Sequence, residues 1–562
     1  MKVSHSTCSA LAFAGSWVFC REAGLKSETS AWQALSCFFG AALFAVHPMC
    51  VQTASWSSCL PYLWATSLSW LSALLYFGTF RAAAKQQGAT QAWTLALLSA
   101  LFYFAAAMCK AATLTLPAVL LLSRAAMSSP RGIVSRFDVP LWTAALAALR
   151  LAATAAGDGP GSDEIQTTVV DLDLWDNILR AAVSVFLYPW RALELCLVVA
   201  GGAVPGVRPV ALQGLSDGQR QQGFLALAAV AFTVLLALEA LGLPGARRLS
   251  VRVSAAAWLA YLALIAPCLQ IVCQHGDPVW YADRYGYLPL ALILPLLVAA
   301  TIGRCRGPRA RFFVCAALGP VLLSLARQSS MACDRWRSGV ELWSAAAADE
   351  TKWPEFHHQL GVSLASGRRF SEAEGALRTA WELRPEALTA KALGHVLGLE
   401  RPARGIEWFE KALGLASEAP SGAEQKKRQK AAGLSTAQAA SLYHDLAVLN
   451  SRLPKPDLER VALLYRQSLQ LAPSRAVTQE NCGITLAVAG RHGEAAGYLQ
   501  AAKRLGRDTP ELHSGLGAVR YAQRKLKKAA VSFGRALELR PGWTEAEENL
   551  RAVQSEIAEQ KR

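Results

Sequence analysis

The sequence predicts an all-α chain in two parts: a polytopic helical membrane domain, then a superhelix of paired-helix repeats. Three observations carry this. Of 562 residues, 53% are hydrophobic and only 17% charged. The charge is uneven: residues 1–330 hold 23 Lys/Arg and 14 Asp/Glu, whereas the remaining 232 residues hold 34 and 27. The first part therefore has membrane composition and the second the charge density of a soluble helical protein. Finally, the second part repeats itself at fixed offsets. A wholly soluble enzyme, a disordered chain and a collagen-like chain are excluded.

In the first part, apolar runs long enough to cross about 30 Å of hydrocarbon fall near 60–80, 92–108, 139–156, 181–203, 223–243, 254–273, 285–303 and 310–327, with shorter ones near 8–20, 31–46 and 111–124. About ten membrane segments are expected. Trp56, Tyr62, Trp64, Trp190, Trp280, Tyr281 and Tyr285 sit at run ends, where interfacial aromatics belong. The loops sort by charge. Those at 81–91, 124–137, 244–253 and 304–311 are basic, and those at 47–60, 157–177 and 274–284 are neutral or acidic. The positive-inside bias places the basic set in the cytosol. Alternation then works if 178–203 is re-entrant or broken, and Tyr188-Pro189-Trp190-Arg191 offers the break. The net charge of +16 divides into +9 and +7 between the two parts. Topology accounts for the first share, and no basic groove or fold motif accompanies it, so no nucleic-acid partner is expected.

In the second part, Leu360-Gly361, Ala373, Leu377, Ala380, Leu383 and Pro385 recur 156 residues later as Leu516-Gly517, Ala529, Phe533, Ala536, Leu539 and Pro541. Between them the pattern returns around Leu393-Gly394, Leu446-Ala447 and Gly483. This is the 34-residue tetratricopeptide pattern, with small residues where two helices cross and proline closing the unit. Such arrays stack into a superhelix with a groove for an extended peptide or a partner helix. The expected organisation is 1–330 polytopic domain, 331–353 connector, 354–418 repeats one and two, 419–437 polar linker, 438–543 repeats three to five, and 544–562 a C-terminal helix or tail.

Of 13 cysteines, 12 lie at or before Cys333, mostly inside apolar runs, and no CxxC pair occurs. Neither a disulfide framework nor a metal site is indicated. No Asn-x-Ser/Thr sequon is present. Ionisable groups inside a charge-poor membrane region are the candidates for function. His47-Pro48, Lys110 and Asp283-Arg284-Tyr285 each stand at the non-cytosolic end of a segment, on the side to which the loop charges also assign the repeats. Arg284 and Lys110 suit an anionic lipid phosphate, because the arginine fork binds phosphate bidentately.

These residues carry a resemblance. Ala41–Tyr76, with Leu43-Phe44-Ala45-Val46-His47-Pro48, Ser55-Trp56 and Leu74-Leu75-Tyr76, resembles a segment of the transmembrane and tetratricopeptide-repeat-containing proteins. So do Lys110-Ala111-Ala112 with Thr115-Leu116-Pro117, then Ala282-Asp283-Arg284-Tyr285-Gly286-Tyr287-Leu288-Pro289, then Arg335-Trp336 and Glu341-Leu342-Trp343 leading into the repeats. The resemblance covers nearly the whole chain. It implies a GT-C-like glycosyltransferase in the endoplasmic reticulum membrane, multi-pass, with lumenal repeats. It implies transfer of mannose from dolichyl-phosphate mannose to Ser/Thr of acceptor proteins recruited through the array. The lipid-linked sugar is a co-substrate, and no separate cofactor is expected.

Residues 8–20 match the family's second membrane helix, which implies that a first helix and an acidic lumenal loop supplying the general base precede this chain. Where family members often continue His-Pro with His and Glu, this sequence reads Cys50 and Gln52. The alternative reading is a noncatalytic membrane scaffold that recruits lumenal partners.

Overall fold

A computed structural model describes residues 2–22, 30–55, 59–84, 89–127, 135–157, 174–197, 217–242, 249–269, 283–305, 307–349, 351–417 and 436–560. They fall into two compact units, one ending at Asp349 and the other following it. Every regular element among the described residues is helical.

The first unit contains α1 (Lys2–Glu22), α2 (Ser30–Val46), α3 (Val51–Ser55), α4 (Leu60–Ala84), α5 (Ala89–Cys109), α6 (Leu116–Met127), α7 (Val139–Gly157), α8 (Leu174–Leu197), α9 (Asp217–Gly242), α10 (Leu249–Ile265), α11 (Asp283–Arg304), α12 (Pro308–Arg335) and α13 (Gly339–Asp349). Its core gathers Phe44, Leu63, Tyr103, Leu264, Ile265 and Tyr287. Helices α2 and α11 meet backbone to backbone: a Cβ on Gly40 would lie 2.5 Å from the Pro295 carbonyl oxygen. No residue with a side chain fits there without moving a helix.

By length and composition, four helices can cross a membrane, namely Ala89–Cys109, Arg220–Leu241, Val251–Cys268 and Pro308–Arg335. A fifth arises if Ser30–Val46 and Pro48–Ser55, bent by 54°, count as one span. The expectation of about ten segments is thus reduced among the described residues. The stretches Ala111–Ala126 and Arg284–Ala299 are apolar but too short to span on their own.

The expected break at Tyr188-Pro189 is also corrected, since α8 runs helically through Pro189. Proline has no N–H, so the carbonyl four residues earlier loses its helical donor. That carbonyl belongs to Val185, and the Tyr261 hydroxyl on α10 donates to it at 2.6 Å. A neighbouring helix thus repairs the defect, as buried backbone requires. Tyr261→Phe leaves this carbonyl unsatisfied in a buried setting and is expected to cost about 1–3 kcal/mol. Thermal unfolding in detergent checks this; a variant as stable as the parent would mean that another donor serves Val185.

Three arginines of the expected basic loops are buried rather than solvated. Arg124 lies 3.1 Å from Asp138, which also accepts from the Tyr76 hydroxyl at 2.9 Å, and its guanidinium stacks 3.8 Å from the Phe80 ring centroid. Arg252 donates to the carbonyl of Ala125, and Arg311 to that of Cys305 at 3.1 Å. Arginine suits these helix ends because its several donors reach carbonyls while its stem packs on apolar surface.

The second unit pairs α14 (Pro354–Ser366) with α15 (Phe370–Leu383), α16 (Ala387–Glu400) with α17 (Pro402–Ser417), α18 (Thr436–Ser451) with α19 (Leu458–Leu471), α20 (Ala476–Val488) with α21 (His492–Arg504), and α22 (Pro510–Ala522) with α23 (Leu526–Leu539), closed by α24 (Thr544–Glu559). The polar break read at 419–437 lies outside the described residues except for its last two, which open α18. The signature positions stand where the helices cross. A Cβ on Gly361 would meet Leu377 at 2.5 Å, and one on Gly517 would meet Phe533 at 2.7 Å. Ala373, Ala380, Ala529 and Ala536 are fully buried. Leu360 is half-buried, and Pro385 and Pro541 stand exposed just beyond the second helix.

One further regularity was not read from the sequence. Three residues before the small crossing residue, each of the first four repeats carries a polar side chain that ties it to the next. The His358 ring bonds the Thr389 hydroxyl (3.1 Å) and Lys391 donates to Ser441 (3.2 Å). The His444 ring bonds the Thr478 hydroxyl (2.9 Å), and Glu480 accepts from Arg507 (2.7 Å).

Candidate functional site

The polar centre of the first unit forms where three helix ends meet. After Val46 the chain turns at His47-Pro48 into a single 3₁₀ turn and then α3. Gln52 on α3 accepts the backbone N–H of Arg284 at 2.9 Å. This satisfies one of the donors that the start of α11 leaves open. Arg284 is itself 9% exposed, with its guanidinium 4.8 Å from the Tyr285 ring centroid and a nitrogen 3.2 Å from the Tyr285 hydroxyl. Lys110 leaves the end of α5 in extended backbone (φ −157°, ψ 124°) and lies 4.5 Å above the Tyr62 ring centroid. Both contacts are cation–π arrangements, which hold a charge near a low-dielectric wall without neutralising it.

Lys110 and Arg284, distant in sequence, share neighbours. Both act electrostatically on the thiols of Cys59 and Cys268, and Arg284 also acts on Tyr62. The side chain of Asp283 lies outside the described residues.

His47 is placed differently from the two cations. It is 1% exposed, its Nδ1 accepts from the backbone N–H of Met49, and its Nε2 faces the Ala192 carbonyl at 3.3 Å. An accepting Nδ1 puts the proton on Nε2, so the neutral ring pins the turn to α8. Both ring nitrogens of His47 thus face backbone groups.

Beside this centre lies an apolar cavity of about 510 Å³, walled by Leu43, Tyr188, Trp258, Tyr261, Pro289 and Ile293. It follows α11 from Gly286 to Leu297, a rise of about 16 Å. Gly286, two residues after Arg284, is the first residue of α11 to line it, and His47 lines it as well. Gln52, Cys59, Tyr62 and Cys268 were not singled out as site residues from sequence. Their sole signal is proximity to Lys110 and Arg284, which no local spacing encodes.

No protein-family model matches the chain, and no curated protein does. Among solved structures, YrrB, described as a TPR protein with an unusual peptide-binding site, is similar over 37% of this chain and 97% of its own, at 17% identity and a TM-score of 0.31. A MamA protein is similar over 33% of this chain and 90% of its own, at 16% identity and a TM-score of 0.27. PilF of Pseudomonas aeruginosa is similar over 36% of this chain and 90% of its own, at 18% identity and a TM-score of 0.28. The tetratricopeptide-type architecture of the second unit rests on its own helix pairs and on the crossings at Gly361 and Gly517.

Proposed function

We propose that the chain is a membrane-embedded glycosyltransferase of the O-mannosyltransferase kind, in the endoplasmic reticulum membrane. It would take mannose from dolichyl-phosphate mannose onto Ser/Thr hydroxyls of proteins recruited by lumenal repeats. The observation that supports this reading is the set of two cations, Lys110 on the Tyr62 ring and Arg284 on the Tyr285 ring, with Arg284 two residues before Gly286, which lines an apolar cavity. A lipid-linked phosphate has this shape, with a long apolar tail and a compact anionic head. In the transfer, the acceptor oxygen forms a bond to the anomeric carbon while the bond from that carbon to the phosphate oxygen breaks. The pair of electrons leaves with the phosphate, and the hydroxyl proton passes to a base. Lys110 and Arg284 would stabilise the charge that grows on the leaving phosphate, the step at which fixed cations act most strongly. Tyr62 and Tyr285 would keep both cations oriented.

A second reading, a noncatalytic scaffold, is favoured by one specific observation. The second unit is a tetratricopeptide-type array, an architecture that recruits proteins through its groove and needs no catalytic group to do so. Membranes carrying the chain and given radiolabelled dolichyl-phosphate mannose separate the readings. Label released from Ser/Thr by β-elimination is the expected result. Proteins that co-purify with the chain but stay unlabelled would establish the scaffold instead.

A further inference from the structure

Helices α1 and α2 pack on each other and on α11. Where they meet, Cys20 and Cys37 come together, both buried, in a cluster with Ala299 that Phe13 and Trp17 pack against. Both are free thiols, and they are hydrogen-bonded to each other. A buried cysteine by itself is a small hydrophobe. Two thiols in contact across a helix pair are a different object, because a single atom can bond to both sulfurs.

The setting selects that atom. Among the described residues no third His, Cys, Asp or Glu joins the pair, whereas zinc takes four ligands. A monovalent soft ion held by two thiolates would carry a net negative charge, which apolar surroundings of Phe13, Trp17 and Ala299 do not offset. Trivalent arsenic meets neither obstacle. Bonded to two sulfurs and one hydroxyl, it is complete and uncharged.

We propose that Cys20 and Cys37 form a dithiol site for arsenous acid, As(OH)3. Two S–As bonds form and two As–O bonds break, and each thiol proton leaves with a displaced hydroxyl as water. Arsenic stays trivalent, so no oxidant or reductant takes part. The uncharged acid needs no counter-ion on its way in, and Cys20 lies two residues before the end of α1, where helices fray. The site stands about 14 Å along α2 from the turn at His47. It depends neither on sugar transfer nor on the repeats.

The test uses the full chain in nanodiscs, reduced with a phosphine, incubated with sodium arsenite and desalted, with bound arsenic read by elemental mass spectrometry. The parent is expected to retain one more arsenic per chain than Cys20→Ala or Cys37→Ala. Either substitution removes the chelate, so affinity should fall about 10²–10⁴-fold. A dithiol chase should strip the arsenic, and the same concentration of a monothiol should not. Arsenite should raise the melting temperature of the parent and of Cys333→Ala, whose cysteine is exposed, but not of the Cys20 and Cys37 variants. If the latter melt early, protection of Cys20 and Cys37 from N-ethylmaleimide by arsenite, mapped on the parent, decides instead. Equal retention by parent and variants would place the arsenic elsewhere, and no retention would show a sealed pair; either result overturns the proposal.

Discussion

Arg284→Lys is expected to weaken binding of dolichyl-phosphate mannose by about 10–100-fold and to leave the fold intact. A charge-assisted hydrogen bond to a phosphate oxygen contributes roughly 1.5–3 kcal/mol, and losing one bond of a bidentate pair gives about that ratio. Lysine keeps the charge but not the planar fork. It also loses the bond from the guanidinium to the Tyr285 hydroxyl that fixes the present orientation. The backbone N–H to Gln52 does not depend on the side chain, so α11 should start where it does now. Lys110→Gln should weaken binding less, because Lys110 is half-buried and a point charge on a flexible stem is easier to replace. Donor titration in nanodiscs, with thermal unfolding alongside, reads both variants. Unchanged donor affinity in a folded Arg284→Lys protein would make Arg284 an interfacial anchor and remove the main support for the transferase reading.

Arg507→Met should destabilise the fourth repeat by about 3 kcal/mol. Glu480 is 2% exposed and accepts from Arg507 Nε at 2.7 Å, with the Thr509 hydroxyl also donating. Removing the cation strands a buried carboxylate, which typically costs about 3–5 kcal/mol. The retained Thr509 bond puts the effect at the low end. A loss of that size corresponds to a fall in melting temperature of about 6–12 °C for a unit of this length, and to roughly 10²-fold faster hydrogen exchange in α20 to α22. The double variant Arg507→Met/Glu480→Gln should recover most of the loss, because no stranded charge remains. Equal destabilisation in single and double variants would show that the stem of Arg507 matters and the ion pair does not.

The repeats were legible because their code is local. Gly361, Ala373 and Ala380 return as Gly517, Ala529 and Ala536 at one offset, and each must be small to let two helices touch. The ties at His358, Lys391, His444 and Glu480 were not legible, because they share a position but not a residue type, and their partners come from the following repeat or turn. In the first unit, apolar length located helices well but counted spans poorly. Pro189 read as a break, and only the structure shows that Tyr261, distant in sequence, supplies the donor that Val185 lacks. His47 read as a ligand because ionisable groups in apolar surroundings are rare. Its hydrogen bonds to the Met49 N–H and toward the Ala192 carbonyl come from backbone atoms, which residue types do not reveal.

Each of those four ties crosses only one junction and reaches no further. The array is then a one-dimensional chain of nearest neighbours, in which a disturbance fades within a repeat. Loosening one junction would detach the helices on its far side as a block and leave the near side ordered. A ligand would gain affinity by the number of junctions it bridges rather than by tightening the whole array. Such a surface discriminates among partners by length, so a segment covering two junctions would outlast a shorter one of the same chemistry.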